Sequence, residues 1–272
     1  MLRKKAILLG IIVVFMSPVL VFGVVETWEV GVEPSFTSGD YGTGTDTDIT
    51  YVPVTIRRSF GDGDLSLIIP YIHIESTQNV TIVGGSPNRI KKARGGGGGV
   101  VGTSVTTRRT TEEGLGDLIL QGRYYVLEET EVLPLIGLIG RIKFPTADED
   151  KGLGTGELDV GFGLELSKSF SEEWEGYFDV GYTFIGDPSG LDLRDQWYYS
   201  LGLGHYLTMD LLVSAYYEEW RALVAGEPNP RDLFFTVNYN FSQEIEFTAG
   251  LMLGLSDGAP DYGVTGGIRV RF

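Results

Sequence analysis

The side chains in this 272-residue chain that could do chemistry are mostly carboxylates and guanidiniums set at alternate positions. Glu157, Asp159 and Glu165 share one parity, while Val160, Phe162, Leu164 and Leu166 take the other. Asp179 alternates with Phe178, Val180 and Tyr182, and Glu246 with Phe247, Ala249 and Leu251. Arg269 and Arg271 alternate with Ile268, Val270 and Phe272, and Arg123, Arg141 and Lys143 are candidates for the same charged face. A strand turns successive side chains to opposite faces, so each of these segments has one apolar face and one charged or small face. Charges gathered on one face can line an aqueous path that screens solutes. They can equally pair with one another and fill that path, since interior charges must be paired or wet.

Catalysis finds less support. His73 and His205 invite a hydrolase reading, but a nucleophile–base site needs a hydroxyl in reach and a third group orienting the base. No serine motif accompanies either histidine, and His205 lies between Gly204 and Tyr206 near a strand end, where an interfacial ring sits without catalysis. The Gly95–Gly99 run lacks the Lys-Ser/Thr of a phosphate loop. Asp148, Glu149 and Asp150 could approach a calcium ion, yet their spacing is generic and a solvated loop accounts for them. The absence of cysteine removes disulfides and thiolate ligands. The chain is therefore expected to be neither an enzyme nor the holder of a cofactor or metal.

The first 23 residues read as a signal peptide. Arg3, Lys4 and Lys5 form a positive start, 6–16 is apolar, Ser17 and Pro18 break the run, and a cut is expected after Gly23. Removing three of 21 basic residues leaves 18 against 37 acidic ones, a net charge of −19, which disfavours nucleic acid as a partner. The six basic residues at 77–113 (Arg89, Lys91, Lys92, Arg94, Arg108, Arg109) face only Glu112 and Glu113 there, so the rest of the exported chain holds 12 basic and 35 acidic residues. That island either folds toward an acidic mouth, meets lipopolysaccharide phosphates, or is a solvated loop, the last being the simplest account.

Residues 24–272 are expected to form one domain of twelve strands of about nine to fifteen residues, enough for tilted strands to cross a bilayer. Short turns at 61–63, 129–131, 171–173, 208 and 242–243 alternate with longer links at 34–47, 77–115, 146–155, 186–193, 224–231 and 257–260. This is the rhythm of a barrel with tight periplasmic turns and longer outer loops. Alternation alone would also suit a soluble sandwich. Signal, strand length, loop rhythm and an aromatic last residue together favour an all-β, antiparallel, up-and-down transmembrane barrel. Apolar residues on both parities in 64–76 and 133–142 imply packed interior contacts or a greasy stretch of pathway.

Gly114-Leu115-Gly116-Asp117 opens one strand, Lys143-Phe144-Pro145-Thr146 closes the next, and Gly154-Thr155-Gly156 leads into 158–170. This order resembles the barrel family named after the meta-pathway of phenol degradation, whose members are labelled transporters. The resemblance covers most of the exported chain and is strongest over 114–170 and 194–272, with 77–113 an enlargement of this chain. It implies passive uptake of small solutes, aromatic or hydrophobic ones among them, across a bacterial outer membrane. Its partners would be the bilayer, lipopolysaccharide, and the barrel-assembly machinery through the last strand and its signal residue Phe272. Two alternatives stand beside it: a closed structural or adhesive barrel working through 77–113, and the outer-membrane hydrolase.

Overall fold

In the computed structural model the described residues are 27–41, 45–85, 99–190 and 192–272, without the side chains at 78–79 and 99–108. The expected signal peptide and the island's Arg89, Lys91, Lys92 and Arg94 lie outside them, as does the Arg108 side chain. The described residues form fourteen strands: β1 (Thr27–Val32), β2 (Ser35–Gly39), β3 (Thr47–Phe60), β4 (Gly63–Val83), β5 (Gly99–Leu115), β6 (Leu118–Leu127), β7 (Leu135–Phe144) and β8 (Asp159–Ser169), followed by β9 (Trp174–Phe184), β10 (Gln196–Thr208), β11 (Leu211–Trp220), β12 (Arg231–Asn240), β13 (Ile245–Gly254) and β14 (Tyr262–Arg271). All are antiparallel neighbours in one sheet, which closes where β1 and β2 pair with both β14 and β3.

Two wall positions are each built from two strands, so fourteen strands make a twelve-position barrel. The first break is at Glu33–Pro34. Pro34 has no N–H for the ladder, yet Val32 opposite Val54 and Ser35 opposite Tyr51 keep one register, and the wall runs on through it. The second is at Gly116–Asp117. Leu115 opposes Tyr71 while Ile119 opposes Ile68, so one extra residue is bulged out. The bulge reverses the parity of the strand and aims Asp117 inward.

Apart from the inward Ile119, Ile139, Phe234 and Met252, the later strands follow one rule. Large apolar side chains such as Phe162, Phe184, Leu203, Phe235, Leu251 and Ile268 are exposed on the outer surface, while Glu165, Asp179, Ser200, Glu218 and Asp232 are buried on the inner one. An apolar exterior suits a lipid solvent, and a closed wall leaves no backbone group unpaired in it. The connections keep the expected short and long alternation, including the two-residue turns at 61–62 and 209–210.

The largest departure from expectation is at 77–115, anticipated as a loop. β4 and β5 form a hairpin that rises beyond the wall and turns over its mouth. Ser76 pairs with Thr110 and Gln78 with Val105, so three extra residues of β5 bend the hairpin there. Beyond the bend Val80 and Ile82 are buried among Tyr41, Ile49, Tyr51, Ile72, Ile74 and Leu153. Val83 reaches Ile185, Leu193 and Leu223, which belong to the links after β9 and β11 on the opposite side of the barrel. Burial of each such side chain stabilises the crossing by about 1.5–3 kcal/mol.

Candidate functional site

The interior has three levels. Nearest the short turns is a belt of ion pairs that passes from strand to strand. Arg269 on β14 holds Glu29 of β1 at 2.8 Å, Glu33 at 3.2 Å and Glu246 of β13 at 3.3 Å. Arg57 on β3 joins Glu29 at 3.3 Å. Arg123 on β6 contacts Asp64 of β4 at 2.9 Å and Glu165 of β8 at 2.8 Å. The last pair spans β7, and it can do so because the intervening inward residue is Gly137. A Cβ there would stand 2.7 Å from the Glu165 side chain. Arg271 reaches Glu29 at 3.3 Å but is half exposed at the end of the strand.

The middle level is aromatic. Tyr198 of β10 is buried, stacks on Trp220 at 4.5 Å between ring centroids, and lies over Gly163 and Gly181. A Cβ on Gly181 would sit 2.3 Å from the Tyr198 ring, so the glycine is what admits it. Tyr177 and Tyr216 meet in the same way at 5.5 Å. Arg141 enters this level from β7, buried, with Tyr51 of β3 and Tyr198 of β10 both in its electrostatic surroundings.

At the mouth, Lys143 holds Asp159 at 2.9 Å, Asp117 at 3.2 Å and the Thr155 hydroxyl at 2.9 Å, with every charged member at most 2% exposed. The other Asp117 oxygen accepts the backbone N–H groups of Thr146 and Ala147, and Asp159 accepts that of Gly186. One buried triad thus fixes the β5–β6 bulge, the link after β7 and the link after β9. The hairpin rests on it, since Gly85 lies against Ile119 and the Lys143 stem.

The inward charges are unevenly shared. Among the described residues, every inward Lys or Arg of the wall lies on the contiguous half made by β14, β1, β3, β4, β6 and β7. The half from β8 to β13 presents only carboxylates: Asp159, Glu165, Glu175, Asp179, Glu218, Asp232 and Glu246. A transverse field therefore crosses the interior, strengthened by low-dielectric walls.

The expected interior residues fall as follows. Arg123, Arg141, Lys143, Asp159, Glu165 and Asp179 are buried, and Glu246 and Arg269 are partly buried in the belt. Glu157 precedes β8 and is half-buried in the link, outside the strand. Phe272 is exposed, and its backbone exchanges two hydrogen bonds with Trp28 across the barrel seam, 2.9 and 2.8 Å. Sequence reasoning passed over Glu29, Arg57, Asp64, Asp117, Glu218 and Asp232. Parity alone would have found most of them, and Asp117 stood inside a quoted motif.

The two histidines are placed apart from this interior. His205 faces outward and stacks on Trp174 at 4.3 Å near the short turns. His73, on the outer face, lies between Glu113 at 3.0 Å and Glu75 at 3.3 Å. Arg109 joins Asp48 and Glu75 beside it. In the turn after β6, Glu129 receives Lys168 at 3.0 Å and the Ser169 N–H at 2.8 Å, which hold its carboxyl below the usual range.

A family model described as Putative MetA-pathway of phenol degradation matches residues 32–272. The chain belongs to that family. No curated protein matches it. Among solved structures, an outer-membrane channel from Pseudomonas putida F1 is similar with a TM-score of 0.60 and 12% identity, over 94% of this chain and 100% of that one. The KdgM porin is similar with a TM-score of 0.51 and 7% identity, over 90% and 99%. At such identities the likeness is one of fold: a closed antiparallel β-barrel.

Proposed function

We propose that this family member is a passive channel in the bacterial outer membrane for small solutes, with aromatic and other weakly polar molecules the favoured class. The carrying observation is the interior itself, a closed apolar-outside barrel whose inner face sets carboxylates on one half against guanidiniums on the other. Aromatic rings carried by β9, β10 and β11 on the carboxylate half offer weak sites to a flat solute, and net negative charge opposes anions. The shared fold with a protein described as an outer-membrane channel supports the reading, as does the phenol-degradation description of the family. The same charged groups serve position and selection here, with no catalytic role assigned to His73 or His205. Membership of the outer membrane, export by residues 1–23 and assembly through the strand ending at Phe272 belong to the same proposal.

Purified protein in planar bilayers should give cation-selective conductance, and proteoliposomes should pass benzyl alcohol faster than benzoate. Protein that carries neither ions nor solute, with folding verified by its circular dichroism, would refute the channel.

A further inference from the structure

We infer that the apolar surface beneath the β4–β5 hairpin is a binding site for a small uncharged apolar molecule, and that Val80 and Ile82 occupy it in the closed form. The inference rests on the channel reading and adds the place where the solute is first held. Its walls are inward residues of the barrel: Ile49 and Tyr51 on β3, Ile72 and Ile74 on β4, closed by Tyr41 and Leu153. Such a patch is out of place in a lumen built for water and ions. Below it the inward apolar residues Ile68, Ile119, Ile139, Phe234 and Met252 are interspersed with the charged and aromatic side chains, whereas here they form one contiguous cluster, so these side chains require an apolar occupant whenever the mouth is open. The hairpin supplies one, and a hydrocarbon of similar volume would supply another.

The hairpin is built to leave. Its bend carries two register shifts, at Ser76/Gln78 and Asn79/Val80, and among the described residues β5 pairs with β4 alone. Across the mouth the described backbone bond is from Ile82 N–H to the Gly152 carbonyl, 2.8 Å. Among the described residues the rest of the hold is packing, of the Val80, Ile82 and Val83 side chains and of Gly85 on Ile119 and the Lys143 stem. An apolar ligand that takes the Val80 and Ile82 positions competes with this packing for one surface. By linkage it shifts the population toward the displaced hairpin. A sugar or an ion, with no affinity for that surface, shifts nothing.

The chain has no cysteine, so one introduced thiol reports hairpin position. Ile82→Cys in proteoliposomes is treated with a membrane-impermeant maleimide in the presence of cyclohexane, benzene or arabinose, with Asp257→Cys, exposed in the link after β13 on the same side, as control. Either hydrocarbon at ten times its dissociation constant for the displaced form should speed Ile82→Cys labelling about tenfold, while arabinose leaves it unchanged and the control stays constant throughout. Val80→Cys is the second reporter should Ile82→Cys fold poorly. Flux of benzene is measured on the same vesicles as the excess over protein-free vesicles. Flux without accelerated labelling overturns the site and leaves the channel standing, whereas accelerated labelling without flux keeps the site and removes the channel. Equal acceleration by arabinose also overturns the inference.

Discussion

Replacing Lys143 by Met is the sharpest test of how the mouth is held. The ammonium is 1% exposed and faces two carboxylates that are at most 2% exposed. Removing one partner of a buried pair costs about 3–5 kcal/mol, because the charge left behind stays buried. Here the backbone N–H groups of Thr146, Ala147 and Gly186 still solvate the two carboxylates, which places the expected loss near the lower end, about 3 kcal/mol. That is roughly a hundredfold in the folding equilibrium. Urea unfolding of protein refolded in lipid, followed by tryptophan fluorescence and extrapolated linearly, would read it. The triple variant Lys143→Met, Asp117→Asn, Asp159→Asn removes all three charges while amide oxygens still accept the same backbone donors. It should recover to within about 1 kcal/mol of the native chain. A single variant as stable as the native chain, or a triple variant less stable than the single one, would refute charge pairing as what holds this corner.

Gly137→Ala places a methyl group 2.7 Å from Glu165, so the Arg123–Glu165 bridge must shift. We expect a loss of about 1–3 kcal/mol in the same unfolding assay, and none when Glu165→Ala is already present. Tyr198→Ala empties the space over Gly163 and Gly181 and should raise single-channel conductance several-fold, with a stability loss of about 3–5 kcal/mol; unchanged conductance would place the constriction elsewhere. The Glu129 carboxyl is depressed in the folded chain, so its contribution is present above the ordinary glutamate range and is lost as pH falls through its folded value. Lys168→Met should therefore flatten the acid side of the stability profile below about pH 4.5, measured by thermal unfolding across pH 3–7.

Much of the wall was legible because it depends on a period of two. In β8, β9, β12, β13 and β14 the lipid-facing and interior residues separate by parity, and a side chain one residue off would carry charge into hydrocarbon. The inward Ile68, Ile72 and Ile139 were visible as breaches of that rule, without a sign of what covered them. The hairpin was hidden for a physical reason. Its strands obey no lipid, since beyond the Ser76 bend they cross the mouth, and the glycine-rich composition of 95–99 resembles any solvated loop. The bulge at Gly116–Asp117 was hidden too, because a parity reversal needs both flanking registers to be seen. Asp117 consequently sat in a motif whose role only its partners reveal, and the Arg123–Glu165 pair could not be read from residues separated by a whole strand.

The seam between Trp28 and Phe272 has a bearing on how the barrel comes to exist. Before those two residues exchange their hydrogen bonds, the sheet is an open ribbon whose margins, β14 on one side and β1 with β2 on the other, each display a row of unpaired N–H and C=O groups. Water tolerates such margins but hydrocarbon does not, and a second open ribbon satisfies them as well as the native partner does. The interval before closure is therefore the moment at which this chain is most exposed to pairing with the wrong strand.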